Sequence, residues 1–286
     1  MKHVRLTAFF LALTIAVSLG GCGAGVLYAA PTAGELCITF LDVGQADCTI
    51  LRTVDTVIVI DTGASGTDGA ELSGYLQRSG IEKIDLLILS HPHEDHVGGV
   101  SSLLRDFEVA ACLMPDLIED SAAFREALSA LTAEGCGATR AFAGVVCEYG
   151  DLMVEVLSPT EEYYSEVNDA GAVIRVRYGD FSALFTGDVS ATVEEELVRV
   201  YGEALDADIL KVAHHGSENS TGEAFLAAVT PQYAAISCAA GNEYGFPHSK
   251  TLARLAAVEA EVCRTDTDGT IVFSVKNGVI SIKNKD

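Results

Sequence analysis

The sequence predicts an α/β fold in which two β-sheets are sandwiched between helices, forming one domain. Three observations predict it. Short β-rich runs alternate with runs of helical period, the stretch Ile84 to Leu89 is apolar at nearly every position, and no internal linker divides the 286 residues. A hydrophobic content of 49% supports a large core and argues against disorder.

The elements follow in chain order. Lys2, His3 and Arg5 precede the apolar run Leu6 to Leu19, which is short for a membrane span and suits a secretory h-region. Leu19-Gly20-Gly21-Cys22 then resembles a bacterial lipobox, with Cys22 as the lipidated first residue of the mature protein. On this reading residues 1–21 are a lipoprotein signal peptide, residues 22–34 a small-residue tether, and residues 35–286 the folded domain. The protein is then exported and held on the cell membrane, facing the extracytoplasmic side. An ordinary signal peptide or an uncleaved anchor is the alternative.

Leu36 to Leu41, Cys48 to Leu51 and Val57 to Ile60 read as a meander of strands. Leu72, Tyr75 and Leu76 place a helix over Gly69 to Arg78, with Gly80 as its stop. Ile84 to Leu89 reads as a strand buried on both faces. Further helices fit Ala122 to Ala133, Ser190 to Tyr201, Thr221 to Val229 and Lys250 to Glu259. Further strands fit Leu152 to Leu157, Val173 to Tyr178, Phe181 to Thr186, Ile209 to Val212, Tyr233 to Ser237, Ile271 to Val275 and Val279 to Ile282. Glu161 to Asp169 reads as a solvated loop, with a lid as the alternative. Asp266-Thr-Asp268-Gly269 reads as a turn, because a calcium loop aligned on Gly269 would need acids at Arg264 and Val275.

Of the eight cysteines, a lipidated Cys22 leaves an odd seven, none spaced as CxxC and most inside apolar runs. They read as small buried hydrophobes. The net charge of −23 becomes −25 once Lys2 and Arg5 leave with a cleaved leader. That field repels a polyanion, so nucleic acid is disfavoured as a substrate, although bound metal ions would supply local positive charge. No feature names a protein partner.

Ser90-His-Pro-His-Glu-Asp-His-Val-Gly-Gly99 carries the chemistry, directly after the buried strand. In His91-x-His93-x-Asp95-His96, imidazoles and a carboxylate are the ligand types that suit Zn²⁺ or a similar divalent ion. Two residues apart in an extended loop, His91 and His93 can point to one side, while Asp95 and His96 turn toward a neighbouring position. Two metals fit this spacing. Pro92 and Gly98-Gly99 indicate a constrained loop and a close backbone approach.

The motif resembles the signature of the metallo-β-lactamase superfamily of dimetal hydrolases, whose fold is a four-layer αββα sandwich. "LDVGQADCTIL", "IDTG", "HPHEDHVGG", "LFTGDVS", "DILKVAHHGSENS" and "FPHSKTLARL" resemble in particular the metallo-hydrolase domain of ComEC-type competence proteins and their exported relatives. The resemblance implies that His91, His93 and Asp188 hold a first metal, that Asp188 bridges, and that Asp95, His96 and His248 hold a second. It makes Asp95, His214 and His215 the candidate catalytic residues. Either histidine of the pair can contact a phosphate oxygen, protonate the leaving group, or act as a ligand. Asp61 looks like an acid that orients a metal-binding histidine.

One departure stands out. The family supplies another histidine to the first metal, and this chain has none between His96 and His214, with Ser158 in its place. That change weakens the first site or shifts its preference from zinc toward manganese. Ala46 also replaces a glycine common in the subgroup. The implied activity is hydrolysis of a phosphodiester by a metal-activated water. The alternatives are hydrolysis of another ester, an amide or a lactone, β-lactams included, or a metal-poor binding module.

Overall fold

The computed structural model describes residues 30–117 and 119–283; the leader, Cys22 and most of the tether lie outside them. Among the described residues, one sheet runs in the order Val279–Ile282, Ile271–Lys276, Glu35–Phe40, Thr49–Arg52, Val57–Ile60, Leu86–Ile88, Cys112–Met114, Ala138–Arg140. A second runs Glu261–Arg264, Tyr233–Ile236, Ile209–Lys211, Phe181–Phe185, Val173–Tyr178, Leu152–Ser158, Val146–Tyr149.

Strand alternation builds the layers. Ile58, Ile60, Leu86 and Ile88 face the second sheet and meet its Leu152, Val154, Val156, Ile174 and Val176. Val59, Leu87 and Leu89, on the opposite pleat, pack against Leu72, Leu76, Leu103 and Phe124 of the helices Thr67–Arg78, Val100–Asp106 and Ala122–Ala133. On the far face of the second sheet, Leu184 and Leu210 meet Val193, Leu197, Phe225 and Leu255 of the helices Ala191–Tyr201, Glu223–Val229 and Ser249–Ala257. The result is helix–sheet–sheet–helix, a four-layer α/β sandwich in one domain.

Leu86–Ile88 lies parallel to both of its neighbours, as does Ile209–Lys211 in the other sheet. Loops after parallel strands open at one edge, the usual place for a ligand site in such sheets. The histidine loop, the loop after Phe185 and the loop after Lys211 all leave from C-terminal strand ends.

Two segments read from the sequence come out differently. Ile84 to Leu89 is not one strand. Lys83–Ile84 pairs with Glu108–Val109 in a separate ribbon, and only Leu86–Ile88 enters the large sheet. Asp85 makes the break: its N–H donates to the Val57 carbonyl at 2.8 Å and its carboxylate accepts the Val57 N–H at 2.9 Å. Thr265–Asp268 is a short helical turn tied by Arg264 to the Asp266 carboxylate. Residues 159–172 form neither helix nor strand, and Tyr163 is 82% exposed, as a solvated loop requires. The seven described cysteines are free thiols, six of them buried.

Gly98 and Gly99 tie the histidine loop to its neighbour. A Cβ on Gly98 would stand 2.2 Å from the Ser65 nitrogen, and one on Gly99 would stand 2.3 Å from the Thr62 carbonyl oxygen. No other residue fits either place.

Candidate active site

The loop after Leu86–Ile88 turns its side chains inward one at a time. His91 is buried, and its Nε2 lies 3.1 Å from His93 Nδ1. His93 is extended and starts the short helix Glu94–Val97, which aims Asp95 toward the opening and His96 fully inside. Asp61, at a positive φ of 58°, accepts the N–H of Ser90 at 2.7 Å and its hydroxyl at 2.7 Å. The same carboxylate lies 2.8 Å from His96 Nδ1. With Nδ1 donating to Asp61, His96 Nε2 is left without a partner, 3.5 Å from Asp188 Oδ2.

The second sheet supplies the facing wall. Asp188 follows Phe181–Phe185 across Gly187, is buried, and keeps Oδ1 unpartnered. After Ile209–Lys211 the backbone takes three successive positive φ values, 48° at His214, 54° at His215 and 87° at Gly216. This left-handed turn throws both imidazoles into the cleft, and it is the kind of strain that sites retain. His215 Nδ1 donates to the Ser237 carbonyl at 2.9 Å, which presents Nε2 to Asp95 Oδ2 at 3.1 Å. His214 Nε2 lies 3.8 Å from Asp188 Oδ2.

Charge follows this geometry. Burial alone would push His96 down, but Asp188, Asp61 and Asp95 outweigh it and hold the imidazole well above its ordinary range. Burial would likewise lift Asp188, yet His96 and His215 hold it well below. Burial, reinforced by the charge on His96, pushes His91 well down, and burial also lowers His214.

Asp95, His96, Asp188 and His215 each offer one atom, and the four atoms lie within 4.8 Å of one another. Two of the donors, His96 and Asp188, carry buried atoms with no protein partner, a costly state that a shared cation relieves. The residues therefore fit a divalent ion. His91 and His93 add two ring nitrogens 3.1 Å apart on the same side, with His91 Nε2 3.9 Å from Asp188 Oδ2. Ser158, where a further histidine was expected, is fully buried with an unpartnered hydroxyl.

His248 is not in this group of four donors. Its Nδ1 accepts the Glu218 N–H at 3.0 Å and its Nε2 faces the Tyr244 carbonyl at 3.2 Å. The loop carries it to the start of the helix Ser249–Ala257, and His215 stands among the donors instead. Phe246 does reach the cleft, stacked on His215 with ring centroids 6.1 Å apart.

Asp47 and Lys211 escape a reading of the sequence. Both are buried, and the Lys211 ammonium is paired with Asp47 Oδ2 directly behind the histidines. The available signal is one lysine inside the otherwise apolar Ile209 to Val212.

A cleft of about 770 Å³ opens over the group, lined by Gln45, His93, Asn168, His214, Tyr244 and Phe246 among others. Buried polar donors at the floor of an open cleft of this size are the general form of a catalytic site. Residues 41–240 match the family model of the metallo-beta-lactamase superfamily. The chain belongs to that superfamily.

Within it, the chain is 32% identical over 259 residues to ComE operon protein 3 of Bacillus subtilis (strain 168), covering 85% of this chain and 33% of that protein. It is 30% identical over 244 residues to Competence protein ComA of Neisseria gonorrhoeae, covering 85% and 33%. The chain thus spans about a third of the length of these curated relatives. Among solved structures, the metallo-beta-lactamase fold protein YhfI from Bacillus subtilis superposes with a TM-score of 0.54 at 13% identity, covering 87% of this chain and 99% of that one. At that identity the likeness shows the fold alone.

Proposed function

We propose that this protein is an exported, lipid-anchored dimetal hydrolase of phosphodiesters. The observation that carries the reading is the convergence of Asp95, His96, Asp188 and His215 within 4.8 Å at the floor of an open cleft. The imidazole and carboxylate donor set suits zinc, with manganese as the alternative. His91, His93 and Asp188 make the other site, which Ser158 leaves one imidazole short.

Divalent ions held there supply Lewis acidity and positive charge for a developing oxyanion. The chain's own residues do the rest. Asp61 fixes which nitrogen of His96 faces the group, and Ser237 does the same for His215. His214, partly exposed at the cleft, is placed to contact a phosphoryl oxygen or to hand a proton to the departing alkoxide when the P–O bond breaks. Similarity to a protein named for competence favours a phosphodiester over a β-lactam. The strongly negative charge, −23 for the full chain and more negative once Lys2 and Arg5 are removed, favours small diesters over long polyanions.

The test is turnover of bis-p-nitrophenyl phosphate and of a chromogenic cephalosporin with zinc or manganese present. The reading expects chelator-sensitive hydrolysis of the diester only. Turnover of the cephalosporin alone would move the assignment to lactams; no turnover and no bound metal would leave a binding module. Export rests on the lipobox-like Leu19 to Cys22, so Cys22→Ser is expected to release the protein from membranes or to block its processing. Unchanged membrane retention would remove that part.

A further inference from the structure

A second donor group lies behind the first. Asp47, Asp61 and His96 also offer atoms within 4.8 Å of one another, all three residues buried. In this structure a positive charge already stands there. The Lys211 ammonium is paired with Asp47 Oδ2, the same oxygen that lies 3.9 Å from His96 Nδ1, and it donates to the Val212 carbonyl at 3.1 Å. The other oxygen, Asp47 Oδ1, is buried without a hydrogen-bond partner and lies 3.5 Å from His215 Nδ1. Asp47 therefore borders two histidines of the proposed metal group while its charge is committed to a lysine.

We propose that Lys211 is a positioning residue: a built-in cation that holds Asp47 back from metal, so that ions are confined to the Asp95–His96–Asp188–His215 side of His96. The inference rests on the metal-binding reading above. A lysine is the chemically suited device. Its ammonium is a compact point charge that neutralises a carboxylate, and it cannot be chelated away. Without it, Asp47 and Asp61 would form an uncompensated acidic pair behind His96, and that pair would attract a divalent ion. With it, both histidines are backed by a neutral Asp47–Lys211 unit, and their Nδ1 atoms keep the Asp61 and Ser237 partners that aim Nε2 at the cleft.

The test compares wild type, Lys211→Met, Lys211→Arg and the double variant Asp47→Asn/Lys211→Met. Equilibrium dialysis gives the Mn²⁺ affinity and stoichiometry, and thermal unfolding is followed with and without Mn²⁺. Loss of the lysine charge is expected to tighten Mn²⁺ binding by roughly tenfold or more, as removal of a unit charge a few ångströms from a divalent ion requires. Lys211→Arg is expected to stay near wild type, and the double variant to lose the gain. Should Lys211→Met unfold in the absence of metal, the inference expects Mn²⁺ to restore folding, with a larger rise in Tm than wild type shows.

A folded Lys211→Met with unchanged or weaker Mn²⁺ binding would overturn the inference, as would a variant that Mn²⁺ cannot rescue. A wild-type chain that binds no metal at all would overturn the metal reading itself, a separate outcome.

Discussion

Asp61 and His96 are joined by a 2.8 Å hydrogen bond that decides which nitrogen of the ring faces the cleft. The aspartate holds this place on a left-handed backbone, φ 58°, and its carboxylate's other hydrogen bonds both come from Ser90. Asp61→Asn tolerates that backbone but puts an amide N–H against either the Ser90 N–H or His96 Nδ1. The expected outcome is a metal affinity roughly 10–100-fold weaker with the fold intact, read by metal titration alongside circular dichroism. Equal affinity in variant and wild type would mean that Asp61 serves only the turn.

Asp188 is the carboxylate nearest the most histidines, within 3.9 Å of His91, His96, His214 and His215. Asp188→Asn removes the charge and keeps the shape. Hydrolysis of bis-p-nitrophenyl phosphate is expected to fall by ~10³-fold or more, the scale of losing several kcal/mol of charge stabilisation. A variant with wild-type turnover would disprove its place at the centre.

Gly216 closes the histidine turn. A Cβ there would lie 2.5 Å from Pro247 Cβ, on a backbone at φ 87°. Gly216→Ala is expected to destabilise the fold by ~2–4 kcal/mol, from combined overpacking and backbone strain, and to lower Tm accordingly. An unchanged Tm would show that the Phe246–Pro247 loop yields freely.

Glu194 gives a pH signature away from the cleft. Burial pushes its carboxyl up to about 7, against the backbone N–H groups of Gly222 and Thr221 that favour its charged form. A folded-state value above the ordinary 4.5 means that its stabilising contribution is complete below pH 4.5 and lost as pH rises through about 7. The loss is on the order of 3 kcal/mol. Glu194→Gln does not titrate, so the Tm advantage of wild type over the variant is expected to shrink between pH 4.5 and 7. Parallel profiles would refute the coupling.

The parts of this site that were legible in the sequence are those where chemistry is local. His91, His93, Asp95 and His96 declare themselves by density, and Gly98-Gly99 by the close approach that glycine alone permits. Val57 to Ile60 was readable as a strand because both of its pleats face apolar layers, which makes the run β-branched and apolar throughout. What escaped depends on pairing through space. Nothing near Asp47 in the chain marks Lys211 as its partner, since the two meet only when the sheets stack. The turn at His214 and His215, built from non-glycine residues in left-handed conformations, is invisible to propensity, and it delivers His215 to the donor group from which His248 stands apart. Ile84 to Leu89 looked continuous because Asp85 is a single polar residue in an otherwise apolar run, and only its bonds to Val57 through backbone and side chain show that it breaks the strand.

The most direct test of the central claim is metal content per chain, by elemental analysis of protein purified with zinc and manganese both available, for wild type and Asp188→Asn. The account predicts about two divalent ions per wild-type chain, retained through gel filtration, and their loss from the variant. A folded wild-type chain that carries one ion or none would contradict it.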